Sequence, residues 1–226
     1  MAEWGETVEV NKKHQDGIEN KKEWMKRKLE VKKLKIHILL FDDFETLDIF
    51  GPVEILARVE ENELVYESLS GGIVRSAQGT QIVTDRLGKA DPDSVLVIPG
   101  GRGTRTLVKD NTFLNCISEF VQNAGYVLSI CTGSALLAKA GALDGFKATS
   151  NKKALEWVMS LSNQVDWIRH ARWVRNGKFY TSSGVSAGMD MALGFVSDLY
   201  GIQKAEQIAD DIEYVWNRDQ NMDPFA

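Results

Sequence analysis

Continuous apolar runs alternate along most of the chain with stretches whose apolar residues recur at helical spacing. Residues 36–41, 94–99 and 126–130 are continuous runs, which are typical of parallel strands covered on both faces. Residues 47–59 and 112–124 carry apolar side chains at helical spacing. Strands that alternate with helices indicate right-handed crossovers, and therefore a mainly parallel sheet.

Weaker patterns continue this alternation through the rest of the chain. The pair Asn176-Gly177 lies between two apolar runs and indicates a β-hairpin. The other predicted strands lie at 64–69, 73–83, 171–175 and 178–181, and the other predicted helices at 132–140, 152–160, 186–200 and 202–214. The predicted fold class is α/β, with a mainly parallel sheet sandwiched by helices. Its ligand site is expected outside the carboxyl ends of the strands.

Residues 1–34 differ in character from everything that follows. Both signs of charge crowd this segment and apolar residues are few. Part of it, residues 18–33, places some apolar side chains near one helical face, so a docked or mobile helix is one interpretation and a solvated extension is the other. We predict a charged N-terminal extension over 1–34, helical or disordered, and a single α/β domain over 35–226.

The composition limits the classes of partner. The chain has 226 residues, 43% of them hydrophobic, and a net charge of −5, so it lacks the basic excess that nucleic acids and anionic membranes attract. It has no run of about 18 apolar residues, and its first residues lack the apolar core of a signal peptide, so we expect neither a membrane span nor secretion. Its two cysteines, Cys116 and Cys131, suggest no disulfide framework. We expect a cytoplasmic protein that acts on a small molecule and binds neither nucleic acid nor membrane.

Cys131 has the sequence surroundings of a nucleophile elbow, a sharp turn from a strand into a helix. Ser129 and Gly133 are the small residues that such a turn needs two positions before and after the nucleophile. Because a helix N-terminus favours an anion, we expect its thiolate to form more readily than in a free cysteine. A buried core thiol is the alternative. Cys116 shares an apolar helical face and is predicted to be a core residue.

Two further segments end predicted strands, at residues 41–48 and 99–103, and should meet the cysteine at one sheet edge. Asp48 precedes Pro52 by four residues, so its carboxylate belongs to a helix entrance, either as a reactive group or as a cap. The glycines at 100–103 can offer backbone amides to an oxyanion or simply form a tight turn. None of the three histidines is near Cys131 in the sequence, so a Cys–His pair is unsupported.

Four segments of the chain resemble motifs of the ThiJ/PfpI superfamily, whose fold is flavodoxin-like and shared with class I glutamine amidotransferase domains. They are residues 44–56, 98–101, 130–134 and 183–190, and the resemblance runs from about residue 35 to residue 214. Within the superfamily, Leu-Asp-x-x-Gly-Pro followed by Cys-Thr-Gly-Ser is most similar to the isonitrile hydratases and to the ligand-binding domains of AraC-type regulators.

The resemblance implies a role for each candidate residue. Cys131 would be the nucleophile, Asp48 its acid/base partner and Thr132 a supporting residue, while Gly100 and Gly101 would bind substrate or an oxyanion. No metal and no organic cofactor are implied. Relatives in the superfamily are commonly homodimers, so a homodimer is also expected.

Two departures from the relatives narrow the expected chemistry. Thr132 follows the cysteine where several hydrolases have a histidine, which counts against peptidase and amidotransferase activity. Ser150-Asn151 stands where many hydratase-like relatives also carry a histidine. The expected activity is the addition of water to an isocyanide through Cys131 and Asp48. The alternatives are a glyoxalase- or deglycase-like activity on reactive aldehydes, and a redox sensor in which Cys131 is oxidised to a sulfinate.

Overall fold

A central sheet of eight strands dominates the part of the chain described by the structure, a computed structural model covering residues 33–226. The strand order is β3-β4-β2-β1-β5-β6-β10-β9, and only the two edge strands, β3 and β9, run antiparallel to their neighbours. Two more strands, β7 and β8, form a small parallel pair. The strands are β1 Lys35–Leu39, β2 Glu63–Ser68, β3 Gly72–Arg75, β4 Gln81–Arg86, β5 Ser94–Ile98, β6 Tyr126–Ser129, β7 Lys147–Ala148, β8 Asp166–Trp167, β9 Trp173–Asn176 and β10 Phe179–Ser182.

Helices connect the parallel strands and flank the sheet. The helices are α1 Thr46–Leu56, α2 Thr104–Leu107, α3 Asn111–Asn123, α4 Gly133–Lys139, α5 Leu155–Met159, α6 Ala187–Tyr200 and α7 Ile202–Asp211, and a 3₁₀ turn over Lys152–Ala154 precedes α5. Among the described residues, no helix is long and apolar enough to cross a membrane. The predicted α/β class is therefore confirmed, with a mostly parallel sheet and flanking helices.

The elements differ from the sequence prediction mainly where they are short. The predicted strand at 73–83 is two antiparallel strands, β3 and β4, separated by a turn in which the Ser76 amide donates to the Thr80 carbonyl at 2.8 Å. The predicted hairpin joins β9 to β10, with Asn176 paired to Phe179. The sequence pattern missed α2, β7 and β8, which have two to four residues each and carry no periodicity.

The predicted extension at residues 1–34 lies outside the described residues except for its last two positions. Leu34 is fully buried and belongs to the hydrophobic core, so the core begins one residue before β1. Residues 33–226 form one compact unit.

Helices α1 and α6 pack against each other and against the end of β6 at positions that only glycine fits. A Cβ on Gly51 of α1 would lie 2.7 Å from Cγ of Met189, and a Cβ on Gly188 of α6 would lie 2.9 Å from Cγ2 of Ile130. Real Cβ atoms do not approach that closely, so both glycines are required by space. This close packing places the first turn of α1 beside Cys131, the residue after Ile130.

A buried ion pair at the start of α6 holds the last described segment of the chain. Asp190 is fully buried and accepts a hydrogen bond from Nε of Arg172 at 2.6 Å. Its other oxygen accepts from the Tyr214 hydroxyl at 3.0 Å and from the Asn217 amide at 2.9 Å. One carboxylate therefore joins α6 to Arg172, the residue before β9, and to the segment after α7.

We predict that Asp190→Asn lowers the free energy of unfolding by about 3 kcal/mol, because it leaves the buried guanidinium of Arg172 without its main negative partner. Urea unfolding measures this loss. Glu156→Gln is the matched control, since it removes one partner of the exposed Arg169–Glu156 pair and should cost much less stability than Asp190→Asn. Equal effects of the two substitutions would contradict the assignment.

Candidate functional site

Three strand-end segments meet at one edge of the sheet, because β1, β5 and β6 are parallel neighbours. Phe44, after β1, forms an isolated bridge with Gly101, after β5. The Glu45 amide donates to the Gly100 carbonyl at 2.9 Å. The Gly101 amide donates to Oγ1 of Thr132, after β6, at 3.1 Å. The convergence expected from the sequence is therefore present.

The backbone at Cys131 makes the sharp turn expected of a nucleophile elbow. Its φ of 54° lies in the left-handed region, which is uncommon for a residue with a side chain and stores strain. Its amide donates to the Ser183 carbonyl at 3.2 Å, and its carbonyl accepts from the hydroxyls of Ser134 at 3.2 Å and Ser150 at 2.8 Å. A Cβ on Gly133 would lie 2.5 Å from the carbonyl oxygen of Ile98, which explains the glycine two residues later.

Asp48 lies in the first turn of α1 and is fully buried. Its Oδ2 accepts a hydrogen bond from the Gly100 amide at 2.8 Å, whereas its Oδ1 makes no hydrogen bond of ordinary geometry with any described residue. Burial raises the pKa of this carboxyl to about 8, and the charge of Glu45 adds to the rise. The Gly100 amide and the Cys131 thiol act in the opposite direction. Asp48 is therefore mostly protonated at neutral pH.

The Cys131 side chain is nearly buried, with 6% of its surface exposed. Burial raises the pKa of the thiol, and the charge of Asp48 raises it further. Hydrogen bonds from the amides of Thr132 and Val185 and from the side chain of Asn151 favour the thiolate. The expectation that the helix N-terminus makes the thiolate readily available is wrong for this geometry, because the loss of hydration outweighs those donors.

Thr132 and the two candidate glycines form a network that orients the acid. Thr132 Oγ1 lies 3.1 Å from the Gly101 amide and 3.2 Å from the Thr104 hydroxyl, and both donate to it. A Cβ on Gly100 would stand 2.5 Å from the Thr132 amide nitrogen and 3.0 Å from Oδ2 of Asp48. The Gly100 and Gly101 amides thus already bond Asp48 and Thr132, instead of pointing free at a developing oxyanion as expected.

Two residues of the site were missed in the sequence. Val185, with a φ of 30°, and Asn151 both face Cys131 from segments distant along the chain. The only feature of the sequence that pointed to Asn151 was that Ser150-Asn151 stands where the resemblance implied a histidine. Cys116 also departs from its prediction, since it is partly exposed; α3 instead turns Phe113, Leu114, Ile117, Phe120 and Val121 inward.

The described histidines and acidic groups form no second centre at this edge. His37 is buried in β1, where its Nδ1 lies 2.7 Å from Oε2 of Glu67. Within residues 33–226, no group of three or more His, Cys, Asp or Glu side chains is arranged to bind a metal ion.

Comparison with known proteins identifies the family of this chain. The family model described as the DJ-1/PfpI family matches residues 34–198, most of the chain. The chain belongs to the DJ-1/PfpI family. Among DJ-1/PfpI-type structures, a THiJ/PfpI family protein from Pseudomonas syringae superimposes with a TM-score of 0.69 at 27% identity, over 82% of this chain and 78% of that one.

Two characterised relatives differ in the activity that their names state. The isonitrile hydratase of Pseudomonas putida is 33% identical over 184 residues, which is 80% of this chain and 78% of its own length. Protein/nucleic acid deglycase 2 of Escherichia coli is 30% identical over 123 residues, which is 52% of this chain and 71% of its own length. Membership in the DJ-1/PfpI family therefore covers more than one reaction.

Asp48 makes the stability of this DJ-1/PfpI domain depend on pH with a definite sign. The native carboxyl keeps its proton up to about pH 8, whereas an aspartate in the unfolded chain loses its proton above about pH 4. Between these values the native state binds more protons, so the free energy of unfolding falls as pH rises, by up to about 1.4 kcal/mol per pH unit.

We predict that Asp48→Asn removes this contribution. Urea unfolding between about pH 5 and about pH 7.5, where thiols stay protonated in both states, should show the wild type losing stability relative to the variant as pH rises. Asp43→Asn is the control, because Asp43 is exposed on the same loop and asparagine tolerates its φ of 61°. A difference between wild type and Asp48→Asn that stays constant with pH would contradict the buried, protonated acid.

Proposed function

We propose that this protein is a cysteine-dependent hydratase that adds water to an isocyanide and forms an N-substituted formamide. The observation that carries the proposal is the pairing of a mostly protonated, fully buried Asp48 with Cys131 at the elbow. The Oδ1 atom of Asp48 makes no hydrogen bond of ordinary geometry with any described residue, so it can pass a proton to a bound substrate. The similarity to the isonitrile hydratase of Pseudomonas putida supports this choice of reaction.

The first step joins the cysteine to the terminal carbon of the isocyanide. The reactive form of the pair has one proton in total: Asp48 ionises first, and its carboxylate then takes the proton of the Cys131 thiol, so that Asp48 is protonated while Cys131 is a thiolate. The thiolate forms an Sγ–C bond, the carbon takes the proton of Asp48, and the product is a thioimidate beside an Asp48 carboxylate. The amides of Thr132 and Val185 hold the thiolate before it attacks.

The second step releases the formamide. The Asp48 carboxylate takes a proton from water as its oxygen attacks the thioimidate carbon, and Asp48 then returns that proton to the substrate nitrogen. When the C–S bond breaks, the carbonyl forms, the hydroxyl proton passes to Asp48, and Cys131 leaves as a thiolate. The pair regains its initial state, so the balance is one isocyanide and one water per formamide.

A deglycase-like reaction on reactive aldehydes is the second candidate function. The 30% identity to protein/nucleic acid deglycase 2 supports it, and a nucleophilic thiol beside an acid also suits attack on an aldehyde carbon. A small-molecule substrate is common to both candidates. The cytoplasmic location and the homodimer stay predictions.

The test of the proposed function is turnover of a simple alkyl isocyanide, followed by the appearance of the formamide. We expect wild-type activity, loss of kcat by more than about a thousandfold in Cys131→Ala, and a loss of about a hundredfold or more in Asp48→Asn. Cys116→Ser is the matched control and should keep full activity, because that thiol lies on α3 and not at the elbow. Turnover of methylglyoxal, with none of the isocyanide, would favour the aldehyde reaction instead.

The pH profile provides a second test of the same mechanism. Because the pair must lose one proton to react, and Asp48 has a pKa of about 8, kcat/KM should rise with pH and level off above about pH 8. A profile that is flat between about pH 6 and about pH 9 would contradict the assignment of Asp48.

A further inference from the structure

Asn151 approaches Cys131 from a segment that the proposed mechanism has not used. It immediately precedes the 3₁₀ turn Lys152–Ala154, and its Oδ1 accepts a hydrogen bond from the Ala154 amide at 3.1 Å. This cap determines how the side chain is oriented, because an amide that bonds its oxygen to the turn must direct its NH₂ group the other way. The group directed away from the turn is therefore a donor, Nδ2.

The position of Nδ2 is defined by a glycine on the opposite side of the site. A Cβ on Gly184 would lie 2.1 Å from Nδ2 of Asn151 and 3.1 Å from its Cγ. Gly184 is not in the left-handed region, so glycine is needed there for space and not for conformation. The Asn151 amide occupies the room that a side chain at position 184 would take.

The residues next to Asn151 and Gly184 hold the backbone of Cys131. Oγ of Ser150 donates to the Cys131 carbonyl at 2.8 Å, and the Cys131 amide donates to the carbonyl of Ser183 at 3.2 Å. Both segments are thus tied to the elbow by one hydrogen bond each. Asn151 and Gly184 stand one position further along each segment, directly after a residue that is hydrogen-bonded to the Cys131 backbone.

We propose that Asn151 is a catalytic residue whose Nδ2 donates a hydrogen bond to Sγ of Cys131, stabilises the thiolate and aims it at the substrate carbon. This inference rests on Cys131 being the nucleophile of the proposed function. An amide donates to a thiolate but takes up no proton at neutral pH, unlike an imidazole. Asp48 is consequently the group that carries every proton in the reaction, and Asn151 supplies orientation and charge stabilisation.

Substitutions that keep the cap and remove the donor separate this role from a structural one. Asn151→Asp and Asn151→Ser both retain an oxygen that can accept from the Ala154 amide, since aspartate and serine are good capping residues, but neither offers an NH₂ group to Sγ. Asn151→Ala removes the cap and the donor together. The melting temperature shows whether the capping bond to the Ala154 amide is kept, and the reactivity of the thiol shows whether the Nδ2 donor is lost.

The measurement is the rate of Cys131 alkylation by iodoacetamide as a function of pH, in a Cys116→Ser background so that one thiol reacts. We expect Asn151→Ser to slow alkylation at neutral pH by about tenfold or more and to move the midpoint of the pH profile upward, with a melting temperature close to that of the parent. Asn151→Asp should slow it further, because it places a carboxylate against the thiolate.

Gly184→Ala tests the same contact without changing the amide. The added methyl should displace Nδ2 from its position and slow alkylation as Asn151→Ser does. Ser186→Ala is the control two residues away, since Ser186 is exposed and makes no side-chain capping bond. Parental alkylation rates and pH midpoints in both Asn151→Ser and Gly184→Ala would overturn the proposal and leave Asn151 as a cap only.

The alkylation rate measures the reactivity of the Cys131 thiol and not the turnover of a substrate. An experiment can therefore contradict the role of Asn151 without contradicting the hydratase activity, and the reverse. Slow alkylation of the Asn151 variants in a protein that turns over no isocyanide would support the role of Asn151 and reject the hydratase. Isocyanide turnover by the wild type, together with unaffected alkylation of the Asn151 variants, would support the hydratase and reject the role of Asn151.

Discussion

The burial of one carboxyl group, Asp48, is the constraint on which the rest of the site depends. Burying a carboxylate costs free energy, because the charge loses its hydration. The Asp48 carboxyl avoids most of this cost by keeping its proton up to about pH 8, and its Oδ2 accepts a hydrogen bond from the Gly100 amide. Gly100 must be a glycine for this approach, because a Cβ would collide with Thr132. The close packing of α1 on α6 then encloses the acid from the other side.

The strained backbone of the elbow is the second requirement, and a different set of neighbours satisfies it. A non-glycine residue at a φ of 54° costs on the order of 1 to 3 kcal/mol unless its surroundings hold it there. Ser150 and Ser183 each make a hydrogen bond to the Cys131 backbone from a segment distant along the chain, and Ser134 adds a local one from the first turn of α4. Because two of the three partners are distant along the chain, the conformation of the cysteine depends on the fold being complete.

The parts of this arrangement that the sequence could predict are those encoded over a few neighbouring residues. Long apolar runs predicted β1, β5 and β6, and from their parallel pairing the convergence of three loops followed. The small residues around Cys131 predicted the turn itself. In contrast, α2, β7 and β8 are too short to show a period, and Asn151 and Val185 reach the sulfur only through tertiary packing. The direction of the thiol pKa was also missed, since local pattern indicates a helix N-terminus but does not reveal how completely water is removed.

No histidine among residues 33–226 acts on Cys131, and this changes how the chemical tasks of the site must be divided. In a Cys–His pair one imidazole both stabilises the thiolate and transfers the proton, so the two tasks share one pKa. Here two backbone amides and, as proposed, the Asn151 side chain donate to Sγ, and none of them titrates near neutral pH. Of the described residues, Asp48 is the titrating group whose charge acts on Cys131. A buried acid with a pKa of about 8 is suited to give a proton to a carbanion-like carbon and then to take one from water. Burial, which makes the free thiolate unfavourable, is therefore also what makes Asp48 a usable acid, and the two raised pKa values follow from one physical cause.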